Sequence, residues 1–229
     1  LRFGANFWIF KKMKKIKCLV TAGPTREYFD PVRFISNPSS GKMGWNIARA
    51  ASEAGWETSL VLGPSQLGDI EGVEIRRVVS ALDMLEECKK LFADCDILIM
   101  SAAVSDVRPA ERLERKAGKE DIDLNPRLER NPDILKTLSK DKGARVLVGF
   151  AAQTHDIMKY AKIKLSEKNL DCIVANNVAS GSYGFASDMN KIEVLMRSGE
   201  VVDFEPDGKY ELAKKLVAFL NERFFLGFF

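Results

Sequence analysis

Apolar and polar positions along this chain follow two periods in turn, and their order predicts an α/β protein. Ile16 to Thr21 is a continuous apolar run of strand length. Lys42 to Ala54 repeats apolar residues at helical spacing, with Met43, Ile47, Ala50, Ala51 and Ala54 on one side, and Gly55 stands at the C′ position that ends such a helix. Glu57 to Leu62, closed by Gly63-Pro64, and Glu74 to Val79 read as the next strands, and Ala81 to Ala93 as a helix. Ile97 to Ala103 is apolar throughout, as strands covered on both faces are. The order β-α-β-β-α-β predicts a doubly wound, mainly parallel sheet.

Asp106 to Arg130 breaks this rhythm. It is charged, holds Pro109, Gly118 and Pro126, and reads as a long loop with one short strand near Ile122 to Leu124. Asn131-Pro132-Asp133 then opens a helix to about Lys140, with Asn131 as cap and Pro132 at N1. Arg145 to Ala151 reads as a strand, His155 to Lys168 as a helix and Leu170 to Ala175 as another buried strand. A Gly- and Ser-rich loop with Tyr183-Gly184-Phe185 follows. Lys191 to Arg197 and Val201 to Phe204 then flank Ser198-Gly199-Glu200 as a C-terminal β-hairpin, and a last helix runs from about Lys209 to Arg223. Without an internal repeat or a linker, 13–223 reads as a single domain.

Composition narrows the function classes. With 35 Lys and Arg against 32 Asp and Glu the chain carries only +3, without a basic block, which argues against nucleic acid as a partner. Cys18, Cys88, Cys95 and Cys172 lack C-x-x-C spacing, and the one histidine, His155, is far from all of them in sequence. That disfavours a zinc site, a disulfide framework and a Ser-His or Cys-His hydrolase, and fits a cytoplasmic protein. The aromatic-rich residues 1–12 are too short to span a membrane and have the charge order of a secretory signal reversed, so no membrane association is expected. Met13 fits a natural start, which would make 1–12 an extension. The apolar tail 224–229 suits docking on the body or on a partner, and equally a vector-derived scar.

The chemistry concentrates at strand ends. Thr21 to Gly44 runs from the first strand through a polar loop to Ser39-Ser40-Gly41-Lys42 at a helix start. Gly23 and Gly41 allow close backbone approach, Thr25, Ser39 and Ser40 supply hydroxyls, and Arg33 and Lys42 supply charge, which together suit an anion. The same residues fit an ordinary loop with a Ser N-cap, and residue types do not separate the two. Neither the Walker loop nor G-x-G-x-x-G is present. Asp106, Phe150 and Asn176-Asn177 also fall at strand ends, where open α/β sheets bind ligands. Lys164 and Lys168 share one helix face at a spacing of four, suited to a polyanion or simply to solvent. Read from its residues, the chain is an α/β protein that binds a phosphorylated ligand such as a nucleotide.

The chain also resembles a known family. T-A-G-P-T-R-E and D-P-V-R-F-I-S-N (30 to 37), S-S-G-K-M-G (39 to 44), A-A-V-S-D (102 to 106), N-P-D-I-L (131 to 135) and V-G-F-A-A-Q-T (148 to 154) resemble phosphopantothenoylcysteine synthetase, also called phosphopantothenate–cysteine ligase. K-L-S-E-K-N-L-D-C-I-V-A-N (164 to 176) and G-F-A-S-D-M-N-K (184 to 191) continue the match in family order. The resemblance implies a Rossmann-like fold, a homodimer, and ligation of 4′-phosphopantothenate to L-cysteine through an acyl nucleotide, with Mg²⁺ and CTP in preference to ATP. It implies that Asn37 donates to the reacting carbonyl and that Ala102 and Ala103 contact the acyl nucleotide. Asp106, Asn131, Pro132, Asp133, Ile134, Phe150, Lys164 and Lys168 would hold the nucleotide. Gly23, Thr25, Arg33, Ser39, Ser40, Gly41, Lys42 and Met43 would surround substrate or phosphate. No metal ligand is assigned.

The family's lysine-rich flap, commonly K-I-K-K, is R-L-E-R-K here, which leaves Arg112 and Lys116 as candidates for its catalytic cation. Pro38 stands where arginine is common and Gln153 where glutamate is usual. Many bacterial relatives carry a fused flavin-dependent decarboxylase; this chain has no room for one, so FMN is not expected and a separate decarboxylase is. Two competing classes are a short-chain oxidoreductase, suggested by the spacing of Tyr160 and Lys164, and a non-catalytic nucleotide-binding protein.

Overall fold

The computed structural model describes residues 15–153, 157–177 and 189–226. The leader, His155, Tyr183-Gly184-Phe185 and the last residues of the tail lie outside the described residues.

The first strand, β1 (Lys17–Ala22), alternates its side chains between two cores. Cys18, Val20 and Ala22 enter one, and Leu19 enters the other. That two-sided burial is what an unbroken apolar run of strand length requires. A small hairpin, β2 (Arg26–Tyr28) and β3 (Phe34–Ser36), leads to α1 (Lys42–Glu53) and β4 (Glu57–Leu62). Then come β5 (Val73–Arg77), α2 (Ala81–Phe92) and β6 (Ile97–Met100), followed by β7 (Val107–Pro109) and β8 (Leu128–Arg130). The chain closes with α3 (Ile134–Leu138), β9 (Val146–Gln153), α4 (Ile157–Glu167), β10 (Cys172–Asn177), β11 (Met189–Met196), β12 (Val201–Gly208) and α5 (Lys209–Phe224).

Eight strands form one sheet in the order β12-β11-β10-β9-β6-β1-β4-β5. The six from β5 to β10 are parallel, and β11 and β12 add an antiparallel hairpin at one edge. Counted in chain order the parallel strands run 3-2-1-4-5-6, so the order reverses between β1 and β6. α1 and α5 cover one face with Ile47, Ala51, Leu212 and Leu216, and α2, α3 and α4 cover the other with Met84, Leu135 and Ala161. The predicted doubly wound sheet with its C-terminal hairpin is the observed one.

Four local expectations are corrected. No strand forms at Ile122 to Leu124, where Leu124 is 93% exposed and has no sheet edge to join. The legs of the long loop pair instead as β7 and β8, stapled by Arg108, which donates to Arg130 O (2.9 Å), Asn131 Oδ1 (3.1 Å) and Glu129 Oε2 (3.0 Å). Asn131 does not cap α3, because its amide donates to Ser105 O at 2.8 Å; Asp133 caps it, accepting from Lys136 N at 2.9 Å. The N-cap of α1 is Gly41 at φ 76°, without a side-chain cap bond, rather than a serine. The run to Ala103 stops pairing as a strand at Met100. From there Ala103 N turns to Gly23 O at 2.9 Å.

The tail begins to dock. Phe225 meets the Trp56 ring edge-on at 5.8 Å, and Phe224 packs against the same core. All four cysteines are free and buried. Burial pushes the Cys88 and Cys95 thiols up to about 12 and raises Cys18 and Cys172 further, which makes them packing groups rather than nucleophiles.

At Gly44, in the first turn of α1, an added Cβ would lie 2.6 Å from Ala22 Cβ and 2.8 Å from Thr21 O. Alanine gains about 1 kcal/mol of helix propensity there, but the overlapped atoms include strand backbone that cannot rotate away. Gly44→Ala is expected to destabilise the fold by about 1–3 kcal/mol in urea titration. Gly68→Ala, where an added Cβ would meet nothing within 4 Å, is the near-neutral control.

Candidate functional site

A cleft of about 770 Å³ opens beyond the carboxyl ends of β1, β6 and β9, at the point where strand order reverses. One wall is the α1 start, from Asn37 to Gly44. Its shape depends on glycine: Gly23 (φ 81°) and Gly41 (φ 76°) are both left-handed, and a Cβ on Gly41 would lie 3.0 Å from the Gly23 Cα. A Cβ on Gly63 would fall 1.9 Å from Pro24 O, so the exit of β4 presses on the same loop. Gly41 N and Lys42 N turn back to Ser39 Oγ (3.3 Å) and Ser40 Oγ (3.5 Å), which leaves the N–H groups of Met43 and Gly44 without an acceptor among the described residues at the cleft wall.

The second wall is the loop after β6. Ala102 N donates to Thr21 Oγ1 at 3.2 Å and Ser105 N to Thr25 Oγ1 at 3.0 Å, so β1 fixes the loop from below. Asn37 ties it from the side, its Nδ2 donating to Ala103 O and Val104 O, both at 3.1 Å. Asn37 therefore lines the cleft with its amide hydrogens already held by backbone carbonyls. Donation to a reacting carbonyl would require it to exchange one of these bonds.

The third wall carries charge. Lys168 pairs with Asp133 at 2.8 Å, while Lys164 has no ion pair among the described residues. Burial, then the neighbouring Lys168, holds the Lys164 ammonium below its ordinary range, against the upward pull of Asp106 and Asp133. Burial acting on the Asp133 carboxyl is outweighed by Lys168 and the Lys136 N–H, so its pKa is lowered. In all, six cations and two carboxylates line the cleft, a surplus of four in a chain whose whole net charge is +3. Such a concentration suits a polyanion.

The structure brings together Asn37, Ser39, Ser40, Gly41, Lys42, Met43, Ala102, Ala103, Asp106, Asn131, Pro132, Asp133, Ile134, Phe150, Lys164 and Lys168 around this cleft. Five sequence candidates stand apart. Gly23 supports Gly41 from behind, and Thr25 is fully buried as an acceptor for Ser105 N. Arg33 pairs with Asp30 at 2.9 Å and donates to Ala117 O at 3.3 Å, in a second cavity of about 430 Å³ between the β2–β3 hairpin and the flap. Arg112 lies over the Tyr28 ring at 5.1 Å, and Lys116 is exposed on the flap. Tyr160 does not line the cleft and is 37% exposed, so the Tyr160–Lys164 spacing does not converge on one site.

Sequence reasoning missed Arg130, Lys136, Asn190 and Lys209 on the cleft wall. Arg130 and Lys136 flank the N-P-D-I motif and were within reach of inspection. Asn190 and Lys209 belong to the added hairpin and the last helix, whose place beside β10 follows only from sheet order. No group of three metal-ligating side chains occurs among the described residues.

Residues 13–223 match the family described as the DNA/pantothenate metabolism flavoprotein C-terminal domain. A Bacillus subtilis (strain 168) relative, the coenzyme A biosynthesis bifunctional protein CoaBC, is 44% identical over 182 residues, covering 79% of this chain and 45% of its own length. The protein of the same name from Vibrio vulnificus (strain CMCP6) is 42% identical, over 85% of this chain and 49% of its own length. This chain thus spans about half the length of the curated relatives it matches. The crystal structure of the C-terminal domain of a CoaBC protein superimposes with a TM-score of 0.78 at 39% identity, covering 90% of this chain and 94% of that one.

Two effects of Lys164 are separable. A lysine whose folded pKa lies below its unfolded value costs stability below the folded pKa, a cost that fades as pH rises toward the unfolded one. Lys164→Met is therefore expected to raise the melting temperature at pH 7. It should also weaken binding of a polyanion, probed with inorganic pyrophosphate, by about 1.5–3 kcal/mol, tenfold or more in calorimetry. In the unsubstituted protein, pyrophosphate affinity should fall as pH rises through the lowered Lys164 pKa. A variant that loses stability and keeps its affinity would return Lys164 to a structural role.

Proposed function

We propose, since this chain belongs to the DNA/pantothenate metabolism flavoprotein C-terminal domain family, that it joins 4′-phosphopantothenate to L-cysteine at the expense of a nucleoside triphosphate, with CTP preferred. The observation that carries this reading is the convergence of Ala102, Ala103, Asn131 to Ile134, Lys164 and Lys168 with the uncapped α1 start around one cationic cleft. In the first step the substrate carboxylate oxygen attacks the α-phosphorus, the bond to the β-phosphate oxygen breaks, and pyrophosphate leaves. In the second the cysteine amine attacks the acyl carbon, the acyl C–O bond breaks, and CMP leaves with its electron pair while the amine loses a proton.

Neither step needs a protein nucleophile, which agrees with four buried thiols. Positioning and charge neutralisation supply the catalysis. Lys164 and Lys168 offset the nucleotide's charge, and the α1 N–H groups offer backbone donors to phosphate oxygens. Mg²⁺ fits the site as an ion carried mainly by phosphates, since Asp106 is the cleft carboxylate without an ion pair among the described residues and such ions use one or two carboxylates beside substrate oxygens. It would neutralise phosphate charge there.

The positions of Arg112 and Lys116 support one competing reading, a non-catalytic nucleotide-binding protein, because neither reaches the cleft in this form. A pyrophosphate-release assay with 4′-phosphopantothenate, cysteine, Mg²⁺ and either CTP or ATP separates the two. Release that is faster with CTP is expected, and no release with either nucleotide would leave only binding. Lys116→Ala should slow release by about tenfold or more if its ammonium reaches the transferring phosphate. Arg112→Ala should matter less, since Arg112 is stacked on Tyr28. Full activity in both would remove the flap from the mechanism.

A homodimer is part of the same proposal. Val32 (56% exposed), Phe34 (40%) and Leu113 (50%) present apolar surface on the β2–β3 hairpin and the flap, a patch suited to a second copy. Light scattering should give twice the chain mass, and Phe34→Glu should shift it toward monomer. An unchanged mass in that variant would move the interface elsewhere.

A further inference from the structure

We propose that Thr25 is the positioning residue for Asn37: one buried residue sets both the strand that leads into Asn37 and the carbonyls that hold its amide. This rests on the ligase reading, in which the Asn37 amide donates to the reacting carbonyl, and adds the group that aims that amide.

The need for such a group follows from where Asn37 lies. Its side chain is exposed at the cleft wall, so its orientation is chosen by its two bonds to Ala103 O and Val104 O, both at 3.1 Å, rather than by packing. Those carbonyls belong to the stretch between β6 and β7, whose one ladder contact is a bridge from Ala103 to Pro24. Its backbone is held instead from every second residue at the β1 exit. Ala102 N donates to Thr21 Oγ1 (3.2 Å), Ala103 N to Gly23 O (2.9 Å) and Ser105 N to Thr25 Oγ1 (3.0 Å).

Thr25 differs from the other two in gripping both sides of the Asn37 contact. Its carbonyl accepts from Ser36 Oγ at 2.8 Å, one residue before Asn37, and its hydroxyl fixes Ser105, one residue after Val104. Thr25 is fully buried and Ser105 is 4% exposed, so water does not replace the hydroxyl if it is removed. The Ser105 N–H is then left without an acceptor, and the carbonyls that hold Asn37 lose their nearest anchor. The nucleotide wall has ties of its own: Asn131 N donates to Asp106 O at 2.9 Å, and Asn131 Oδ1 accepts from Arg108 at 3.1 Å. A loss at Thr25 therefore falls on the alignment of the reacting groups and not on nucleotide binding, and a misplacement of about 1 Å is enough to cost about 100-fold in rate.

Thr25→Val keeps the shape of the side chain and removes the acceptor, whereas Thr25→Ser keeps the acceptor. Thr58→Val, which removes a buried hydroxyl near the amino end of β4, away from the cleft, controls for lost stability. In steady-state formation of 4′-phosphopantothenoylcysteine, Thr25→Val is expected to lower kcat by about tenfold or more with the KM for CTP within about twofold. Thr25→Ser and Thr58→Val are expected to keep kcat within about threefold of the unsubstituted protein. If circular dichroism shows Thr25→Val unfolded, Ser36→Ala, which opens the other arm of the grip, takes its place. An unchanged kcat, a loss that serine does not restore, or a loss shared by Thr58→Val overturns the proposal. The side-chain amide resonances of Asn37 in the ligand-free protein, identified by their absence from Asn37→Ala, give a readout that needs no turnover. They are expected to shift in Thr25→Val and to stay in place in Thr25→Ser. Unmoved resonances in Thr25→Val overturn the positioning role even in an active ligase, whereas shifted resonances in a protein that forms no product uphold it and remove the ligase reading.

Discussion

The α1 wall of the cleft depends on a backbone contact made without side chains. The exit of β1 at Gly23, the exit of β4 at Gly63 and the start of α1 at Gly41 meet where a Cβ on Gly63 would overlap Pro24 O and one on Gly23 or Gly41 would crowd main-chain atoms at 3.0–3.1 Å. One turn later, Gly44 brings α1 against Ala22 and Thr21. This contact seats the helix start at the switch point of the sheet. Gly41 caps by conformation and offers no side-chain acceptor, so that beyond Lys42 N, which donates to Ser40 Oγ, the next N–H groups of α1 face the cleft.

A second consequence is electrostatic. A cleft lined by six cations and two carboxylates sits in a protein that is otherwise nearly neutral, and part of its charge is kept in an unfavourable setting. Lys164 is held below its ordinary pKa by burial and by Lys168, an arrangement that a bound polyanion relieves. The internal hydrogen bonds of the cleft are, by contrast, well satisfied: Thr21, Thr25, Asn37 and Asn131 each hold backbone of the walls in place. The site thus divides into neutral side chains that fix geometry and cations that set its charge.

Much of this was legible in the sequence because it depends on local chemistry. Two-sided burial of β1, β6 and β10 wrote itself as unbroken apolar runs, and helix α1 as an apolar stripe ended by Gly55. The residues after β1, β6 and β9 do meet in one cleft, as strand-end positions in a doubly wound sheet should. What escaped is what depends on distant partners. Thr25 and Arg33 look like ligands by residue type, yet Ser105 in one case and Asp30 with Ala117 in the other claim them. Asn131 resembles a cap, but Arg108 and Ser105 take both ends of its amide. Asn190 and Lys209 reach the cleft only because β11 and β12 extend the sheet beyond β10, a pairing that no local pattern reveals.

In the proposed reaction the cationic cleft activates a carboxylate by joining it to a nucleotide. Phosphorus NMR of the protein with CTP, Mg²⁺ and 4′-phosphopantothenate, with cysteine withheld, tests this most directly. The account predicts one pyrophosphate per active site together with a new acyl-phosphate resonance that disappears when cysteine is added. A spectrum that retains only intact CTP and 4′-phosphopantothenate would contradict it.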